Sequence, residues 1–525
     1  MMKKLFFAAF ALAAVLPAAA QDTYESARLL GSDLNGTARY VGMGGAMDAL
    51  GADISTIATN PAGIGLFRHS AVSASFGFVS QSDVQKFDGL GKTNMSFDQA
   101  GFVYSMRLGR SSFINMGFNY HKSRNFDQIL SAANALHNCS QNGLSYRKAE
   151  LGDSRKGGYW LDFNSSDEVI GWENEKSDWR AETYSQADYL NANVLLLDPN
   201  DKNYYFNDAS AYTFDRAHRG WINDFDFNLS GNENDRFYWG VTVGVKSVNY
   251  EGHSGYGESL VDSKGDCGSV AYDDYRKIKG SGFDVKLGVI IRPIEESPFR
   301  FGLAVTTPTW YSLTSSNDTE MLNNSPYGSW DNGHSSESYD FQYYTPWKFG
   351  VSLGHTVGSN VAIGAGYEYS DYAASQNRII DGYDYYDGYD QSSKDQDMKY
   401  NTEQSLKGVH TFKAGVEVKP LPALSLRCGY NYVSAGYDKN GVRDMMINSP
   451  GVMYASTTDY TNWKDTHRLT AGIGYKVGGL SLDLAYQYST TDGEFHPFQP
   501  YAGGSSTVDV SNKRHQLLFT LGYTF

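Results

Sequence analysis

The segment Gln516-Leu517-Leu518-Phe519-Thr520-Leu521-Gly522-Tyr523-Thr524-Phe525 alternates with period two. Leu517, Phe519, Leu521, Tyr523 and Phe525 share one face of a strand, and Gln516, Thr520, Gly522 and Thr524 share the other. The run is as long as a tilted strand needs to cross a bilayer, roughly 9–11 residues. Upstream, Leu480, Leu482, Leu484, Tyr486 and Tyr488 alternate with Ser481, Asp483, Ala485 and Gln487. Leu469, Ala471, Ile473, Tyr475 and Val477 alternate with Arg468, Thr470, Gly472, Gly474 and Lys476. Similar runs are Leu424 to Tyr432 opposed by Arg427 and Gly429, Val361 to Tyr369 opposed by Gly364 and Glu368, and Phe283 to Ile291 opposed by Lys286 and Gly288. One face is apolar and ends in aromatics, and the other carries Gly, Ser, Thr and charge. That is the lipid-out, polar-in dyad of a transmembrane barrel. A soluble sandwich or propeller also alternates, usually in shorter strands.

The spacing predicts an all-β, antiparallel transmembrane barrel of fourteen strands, near 70–80, 95–108, 112–125, 221–231, 235–250, 281–293, 298–311, 341–356, 359–372, 405–419, 422–435, 464–477, 479–491 and 512–525. Short joins such as Gly109-Arg110-Ser111 and Pro420-Leu421 alternate with long ones at 81–94, 126–220, 251–280, 312–340, 373–404, 436–463 and 492–511. Outer-membrane barrels have short periplasmic turns and long outside loops, and an even strand number returns both termini to the periplasm.

Composition excludes several classes. With a mean hydropathy of −0.46, the 525 residues hold no set of long apolar helices. Apolar residues make up 41%, too many for a disordered chain. Three cysteines build no dense disulfide scaffold. A net charge of −15 disfavours nucleic acid as a partner.

Residues 1–20 read as a signal peptide, with Lys3 and Lys4, an apolar run at 5–16 and Ala18-Ala19-Ala20 before the cut. No Cys follows for a lipid anchor. Residues 21–69 do not alternate, and are expected to form a small helical plug, or hatch, inside a barrel spanning 70–525. Residues 23–30 suit a short helix stopped by Gly31, and Asp53 caps another that ends before Asn60-Pro61. Gly63 allows a turn at positive φ.

Gly42-Met43-Gly44-Gly45-Ala46 and Asn60-Pro61-Ala62 resemble the FadL/TodX-type outer-membrane transporters of hydrophobic compounds, in particular their Bacteroidota branch. Thr307-Pro308-Thr309-Trp310-Tyr311 and Thr345-Pro346-Trp347-Lys348 are similar to that branch too. The resemblance implies a monomeric barrel closed by a hatch, passive entry of ligand from outside, and lateral release by a kinked third strand. It implies hatch roles for Asn60, Pro61, Ala62, Gly63, Gly44 and Gly45, and points to fatty acids or aromatic hydrocarbons. Gly45-Ala46 stands where an Arg-Ala pair is common, which leaves the substrate open. A terminal Phe525 with aromatics before it is typical of chains handed to the outer-membrane assembly machinery. Outer-membrane lipid and lipopolysaccharide would surround such a barrel.

Gly117 is a candidate strand-3 bend, or a small lumen residue beside the plug. Arg107, Lys286 and Arg292 are candidate carboxylate contacts in the lumen, with Lys348, Arg427 and Arg468. Ion pairing with Asp284, Glu368 and Glu417 is the structural alternative. Ala187, Leu190, Val194 and Leu195 recur at helical spacing and, with Leu130, Leu136 and Trp160, suit a roof over the barrel. Cys139 and Cys267 fall in outside loops, where a disulfide is a candidate. The acids of 381–397 lack calcium-loop spacing. No catalytic or zinc motif appears, so neither an enzyme, a cofactor nor a metal is expected. A docking scaffold for secretion and a general porin are the alternatives.

Overall fold

The structure is a computed structural model describing residues 20–154, 160–166, 168–173, 183–196, 205–384, 389–501 and 507–525. The expected signal peptide lies almost wholly outside them.

Fourteen antiparallel strands close into a barrel: β1 Ala71–Gln81, β2 Thr93–Arg107, β3 Phe113–Asn125, β4 Asp208–Glu233, β5 Phe237–Asp262, β6 Gly265–Ile291, β7 Arg300–Thr306, β8 Lys348–Val357, β9 Val361–Asp371, β10 Gly408–Leu421, β11 Leu424–Val433, β12 Tyr460–Val477, β13 Leu480–His496 and β14 Val508–Thr524. Each pairs with its sequence neighbour, and β14 closes on β1 from Ala71↔Thr524 to Gln81↔Arg514. Closure leaves no open edge in lipid. The outward positions form a continuous exposed apolar belt, including Phe76, Met116, Val243, Leu303, Phe412 and Leu521. An exposed belt of that extent marks a membrane-spanning surface. Among the described residues no helix is long and apolar enough to cross.

The wall continues beyond the belt. On β5 the outward residues change from Val241, Val243 and Val245 to Ser247, Asn249 and Glu251, yet pairing with β6 runs on to Asp262↔Gly265. The expected loops 251–280 and 312–340 are therefore largely strand, and 126–220 begins and ends in strand. Gln128–Cys139 pairs with the upper part of β4, and Trp310–Asn323 pairs with the upper part of β6 and with Asn332–Tyr344. Outside lipid a ladder needs no apolar outer face, so the alternation that reveals a strand stops while the strand does not. The expected strands at 298–311 and 341–356 are both broken. Pro308 and Pro346 lack a ladder donor, and Thr309 and Thr345 bridge the breaks: the Thr309 N–H donates to Thr345 Oγ1 at 2.8 Å, and the Thr345 N–H to Thr309 O at 3.1 Å.

Residues 20–69 run down the lumen from the long-loop end to the short-turn end. Helix α1, Thr23–Ala27, is capped by the Asp22 carboxylate, which accepts from the Tyr24 and Glu25 N–H groups. The chain turns at Gly31, at φ 76°. Helix α2, Ala38–Gly42, is capped by Thr37. Two 3-10 turns follow, Ile54–Ala58 capped by Asp53 and Pro61–Leu66 capped by Asn60. Gly63 lies inside the second turn without positive φ, contrary to expectation. Its bareness is needed because a Cβ there would overlap Thr56 Oγ1.

At the long-loop end Leu130, Leu136, Leu190, Val194 and Leu195 are buried with Phe214, Leu260 and Phe495 in one cluster, the expected roof. The Trp160 side chain, Ala181 and Leu197 lie outside the described residues, as do the Asp384 side chain and Asp387 of the acidic loop. Cys139 and Cys267 are not bridged. Cys139 is buried within the roof cluster, and Cys267 packs half-buried at its margin on the β5–β6 hairpin.

Candidate functional site

The lower plug lies on wall glycines. Gly240, Gly288 and Gly302 face Asn60-Pro61-Ala62, and Cβ atoms on the first two would overlap Pro61 and the Asn60 side chain. Gly364, Gly415 and Gly429 do the same for Ala46, Met43 and Gly44. Gly44 and Gly45 need φ of 64° and 78° to make that turn. The Asn60 carbonyl oxygen of the side chain accepts from the Ala62 N–H at 3.2 Å, and Asn115 Nδ2 donates to Ile64 O at 2.7 Å. Two plug carbonyls also find wall donors: Thr470 Oγ1 to Gly42 O at 3.2 Å and Asn431 Nδ2 to Gly44 O at 3.3 Å. The residues named from sequence thus rest on two separate stretches of wall, Asn60-Pro61-Ala62 on β5 to β7 and Gly44 on β10 and β11.

Gly117 holds ordinary register with Val103 and Asn228, and sits against Ile57 and Ile64 of the plug. The bend expected there falls six residues later, where the β3–β4 register shifts between Lys122 and Arg124. β2 and β3 also part there. Their ladder ends at Gln99↔His121, after which Thr93–Phe97 pair only with β1, and Arg124 and Asn125 only with β4. The plug lies along the parted edge. Asn35 Nδ2 donates to Asp98 Oδ1 at 2.9 Å and to Lys122 O at 3.0 Å. The Asp33 N–H donates to Ser123 O at 2.8 Å, and the Asn125 N–H to Asp33 Oδ2 at 2.8 Å. Backbone groups that the ladder abandons are satisfied by a plug strap.

Above the hatch and beside this edge is a cavity of about 420 Å³. That lies within the roughly 300–1,000 Å³ range of small-molecule pockets. Leu29, Leu34, Tyr311, Tyr372, Val409 and Trp463 line part of it, and Arg124, Arg468, Arg514 and Lys348 another part. The three arginines share one carboxylate, Asp33, whose Oδ2 is 4.0 Å from Arg514 Nη1. Burial alone would raise the Asp33 carboxyl, but Arg124, Arg514 and Arg468 outweigh it and hold it below the usual range. Around Asp33 the balance is cationic, because four further lining acids, Asp224, Asp284, Glu368 and Asp459, are paired with Lys246, Lys286, Lys413 and Arg216.

Of the carboxylate contacts expected from sequence, Arg107 and Arg292 lie away from the cavity, and Lys286 lines it but is already paired. Arg107 and Arg292 are tied into short turns, donating to Gly109 O at 2.8 Å and Ser297 O at 2.7 Å. Lys286 is buried and already paired with Asp226 at 2.7 Å and Asp284 at 2.8 Å. Arg427 is paired with Glu417 at 2.6 Å and Asp483 at 2.5 Å. Of the named cations, Lys286, Lys348 and Arg468 line the cavity. Arg124 was missed because strict alternation puts it on the face of Phe118 and Tyr120, and the bulge at Ser123 swings it inward. Arg514 has the inward parity of Gln516 and was legible.

His121, Asp224 and Asp226 offer donor atoms within 4.8 Å of one another. Lys246 pairs with Asp224, and Lys286 with Asp226. The trio therefore belongs to a neutralised ion network in the wall, where two ammonium groups oppose entry of a cation.

At the plug's upper end, Glu25 is buried among Arg28 at 2.8 Å, Arg276 at 3.3 Å and Arg443 at 3.9 Å. Burial would raise its carboxyl, but Arg276, Arg28 and Arg443 hold it well below the usual carboxylate range. Glu258, in the wall above the belt, has no such cation among the described residues. It accepts from the Tyr256 hydroxyl and the Gln141 N–H, each at 2.7 Å, and burial pushes its carboxyl up to about 7.

No protein-family model matches this sequence, and no curated protein does. Solved structures with a similar chain path include the Ralstonia pickettii toluene transporter TbuX, at 12% identity and a TM-score of 0.47, covering 94% of this chain and 99% of that one. A Pseudomonas aeruginosa FadL homologue matches at 10% and 0.47, covering 96% and 98%. The P. putida toluene transporter TodX matches at 12% and 0.46, covering 94% and 99%. At these identities, and with TM-scores below 0.5, the likeness assigns neither ligand nor residue roles to this chain.

Proposed function

We propose that this chain is a bacterial outer-membrane channel that passively admits amphiphilic hydrophobic molecules, with an acidic head preferred over a neutral hydrocarbon. Residues 1–20 serve as the export signal, residues 21–69 as the hatch and residues 70–525 as a monomeric barrel with its long loops outside. Cargo enters under the roof, rests in the cavity and leaves sideways where β2 and β3 part. The observation that carries this reading is the cavity itself: lined both by apolar and aromatic side chains and by three arginines around the Asp33 carboxylate, and adjoining the parted edge. A carboxylate in reach of two guanidinium groups makes charge-assisted, often bidentate hydrogen bonds, while a toluene-like ligand would leave those charges unmatched.

Mass spectrometry of lipophiles extracted from the full chain purified in detergent tests this. A stoichiometric fatty acid is expected, with affinity at least ten-fold lower in Arg124→Gln/Arg468→Gln. Preferential retention of neutral aromatics, or equal binding of acid and methyl ester, would sink the acidic-head reading. An empty cavity in every preparation would favour a docking scaffold instead.

A further inference from the structure

The outward face of β9–β14 carries one arrangement three times. Tyr367-Glu368-Tyr369 on β9 lies beside His410-Thr411-Phe412 on β10, Tyr430-Asn431-Tyr432 on β11 beside His467-Arg468-Leu469 on β12, and Tyr486-Gln487-Tyr488 on β13 beside His515-Gln516-Leu517 on β14. The register is the same each time. The second tyrosine opposes the histidine and the first opposes the apolar residue. In each unit the first tyrosine's hydroxyl meets the imidazole Nδ1, at 2.9, 2.7 and 2.7 Å. The second tyrosine's ring packs on the imidazole with centroids 5.1, 5.2 and 5.1 Å apart. Two or three residues further toward the long-loop end stand Lys407, Lys464 and Lys513.

Aromatic girdles are general in such barrels, and the rest of this girdle is of that plain kind, with Phe97 on Tyr120 and Phe283 on Trp310. The histidines add a direction. With the tyrosine O–H donating to Nδ1, the imidazole proton sits on Nε2. His515 Nε2 lies 3.0 Å from Ser82 Oγ, while those of His410 and His467 have no hydrogen-bond partner among the described residues. Reading outward along β10, β12 and β14, the surface passes from an exposed apolar residue to an imidazole N–H and then to an ammonium. Acids lie close by. Asp509 is 3.5 Å from Lys464, Asp83 is 3.4 Å from Lys513, and Asp465 accepts from the Tyr432 hydroxyl. Lys407 has no carboxylate within 4.0 Å among the described residues. Successive units are two strands apart, about 10 Å along the wall.

We propose that this face binds the phosphorylated headgroup of lipid in the leaflet at the long-loop end, with acyl chains on Phe412, Leu469 and Leu517 and phosphate oxygens on the imidazole N–H groups and lysines. The order of surfaces matches that of such a lipid, and the cationic row stands out on a chain of net charge −15. The site requires a bilayer around the barrel, not passage of cargo, so it stands or falls apart from the cavity.

Native mass spectrometry of the full chain with added diphosphorylated lipid A, compared with the same lipid enzymatically dephosphorylated, tests it. At least ten-fold preferential retention of the phosphorylated form is expected. His410→Phe/His467→Phe/His515→Phe keeps the aromatic girdle and should abolish that preference. Lys407→Gln/Lys464→Gln/Lys513→Gln changes only solvent-facing ends and should weaken it several-fold even if the first variant fails to fold. Equal retention of both lipids, or an unchanged preference in the lysine variant, would overturn the proposal.

Discussion

At the short-turn end the plug lies backbone to backbone on wall glycines, and at the long-loop end it is held by charges and side-chain hydrogen bonds around a cavity. The lower contact is one of shape. Gly364, Gly415 and Gly429 leave no space between wall and plug that a methyl group could enter. The upper contact is electrical, resting on Glu25 among arginines and on Asp33 and Asn35 along the parted edge. Shape contacts fail when a side chain is added, and electrical ones when a charge is removed or titrated. The two ends can therefore be broken separately.

The largest effect is expected at the top. Glu25→Gln leaves Arg276 buried without its ion-pair partner, though Arg443 keeps Asp22 at 2.8 Å, and removing one partner of a buried ion pair costs about 3–5 kcal/mol. Amide exchange of residues 22–30 should rise by more than about a hundred-fold, while residues 60–66 keep their protection. In the unaltered protein the same loss comes with acid. The Glu25 carboxyl is depressed on folding, so its stabilisation is complete above its ordinary value of 4.5 and disappears as the pH falls through its lower folded value. Equal loosening of both ends would show that they are one cooperative unit.

Gly364→Val attacks the other end. Its Cβ would overlap the Ala46 carbonyl oxygen, and overpacking of this kind typically costs ~1–3 kcal/mol. The barrel should still close, because the substituent points into the lumen, but the hatch should shift and uptake of a bulky hydrophilic dye should rise. Gly350→Ala is the control: the nearest atom to its Cβ would be Ala304 Cβ at 3.6 Å, so neither stability nor dye uptake should change.

Smaller still is the effect at the parted edge. Asp33→Ala removes the acceptor of the Asn125 N–H, a loss of roughly 1.5 kcal/mol, the low end for a hydrogen bond to a charged group. Exchange at Asn125 should quicken by about ten-fold, without change at Gly117, whose ladder partners remain on both sides. Quickening at both would mean that β3 moves as a whole and not at its bulge.

How far these regions could be read in advance follows from what each owes to periodicity. The fourteen crossings were legible because lipid on one face and lumen on the other impose period two over a bilayer's width. Above Val245 that demand stops, and the upper strands went unseen. Pro308 and Pro346 stood in plain view as strand breakers, yet the alternation around them favoured unbroken strands. Asn60, Pro61 and Ala62 were found by resemblance. Gly288, Gly364 and Gly429 were read as lumen-facing, but no local pattern says which plug atom a glycine must accommodate. Arg124 shows the limit most clearly, since one extra residue in β3 reverses its face. The expectation of lumen contacts at Arg107 and Arg292 failed because each lies at a strand end, where a guanidinium folds back onto turn carbonyls.

The smallest predicted effect opposes that of Glu25 in sign and lies in the roof. Glu258 is buried with no cation beside it among the described residues, and its carboxyl rises to about 7 on folding from an ordinary 4.5. Between those values the folded state holds a proton that the unfolded state has lost, so the roof loses stability as the pH rises. Exchange at Gln141, whose N–H donates to Glu258, should quicken between pH 5 and about pH 6 by about ten-fold, equivalent to roughly 1.4 kcal/mol. Glu258→Gln keeps an acceptor for that N–H and removes the titration, so its exchange should be flat over the same range once the intrinsic rate is divided out. Residues 22–30 should show none of this rise, because their carboxylate is already ionised. A roof loosened by base above a plug loosened by acid would separate the two layers over the cavity by pH alone, and parallel profiles would show that Glu25 and Glu258 report a single opening.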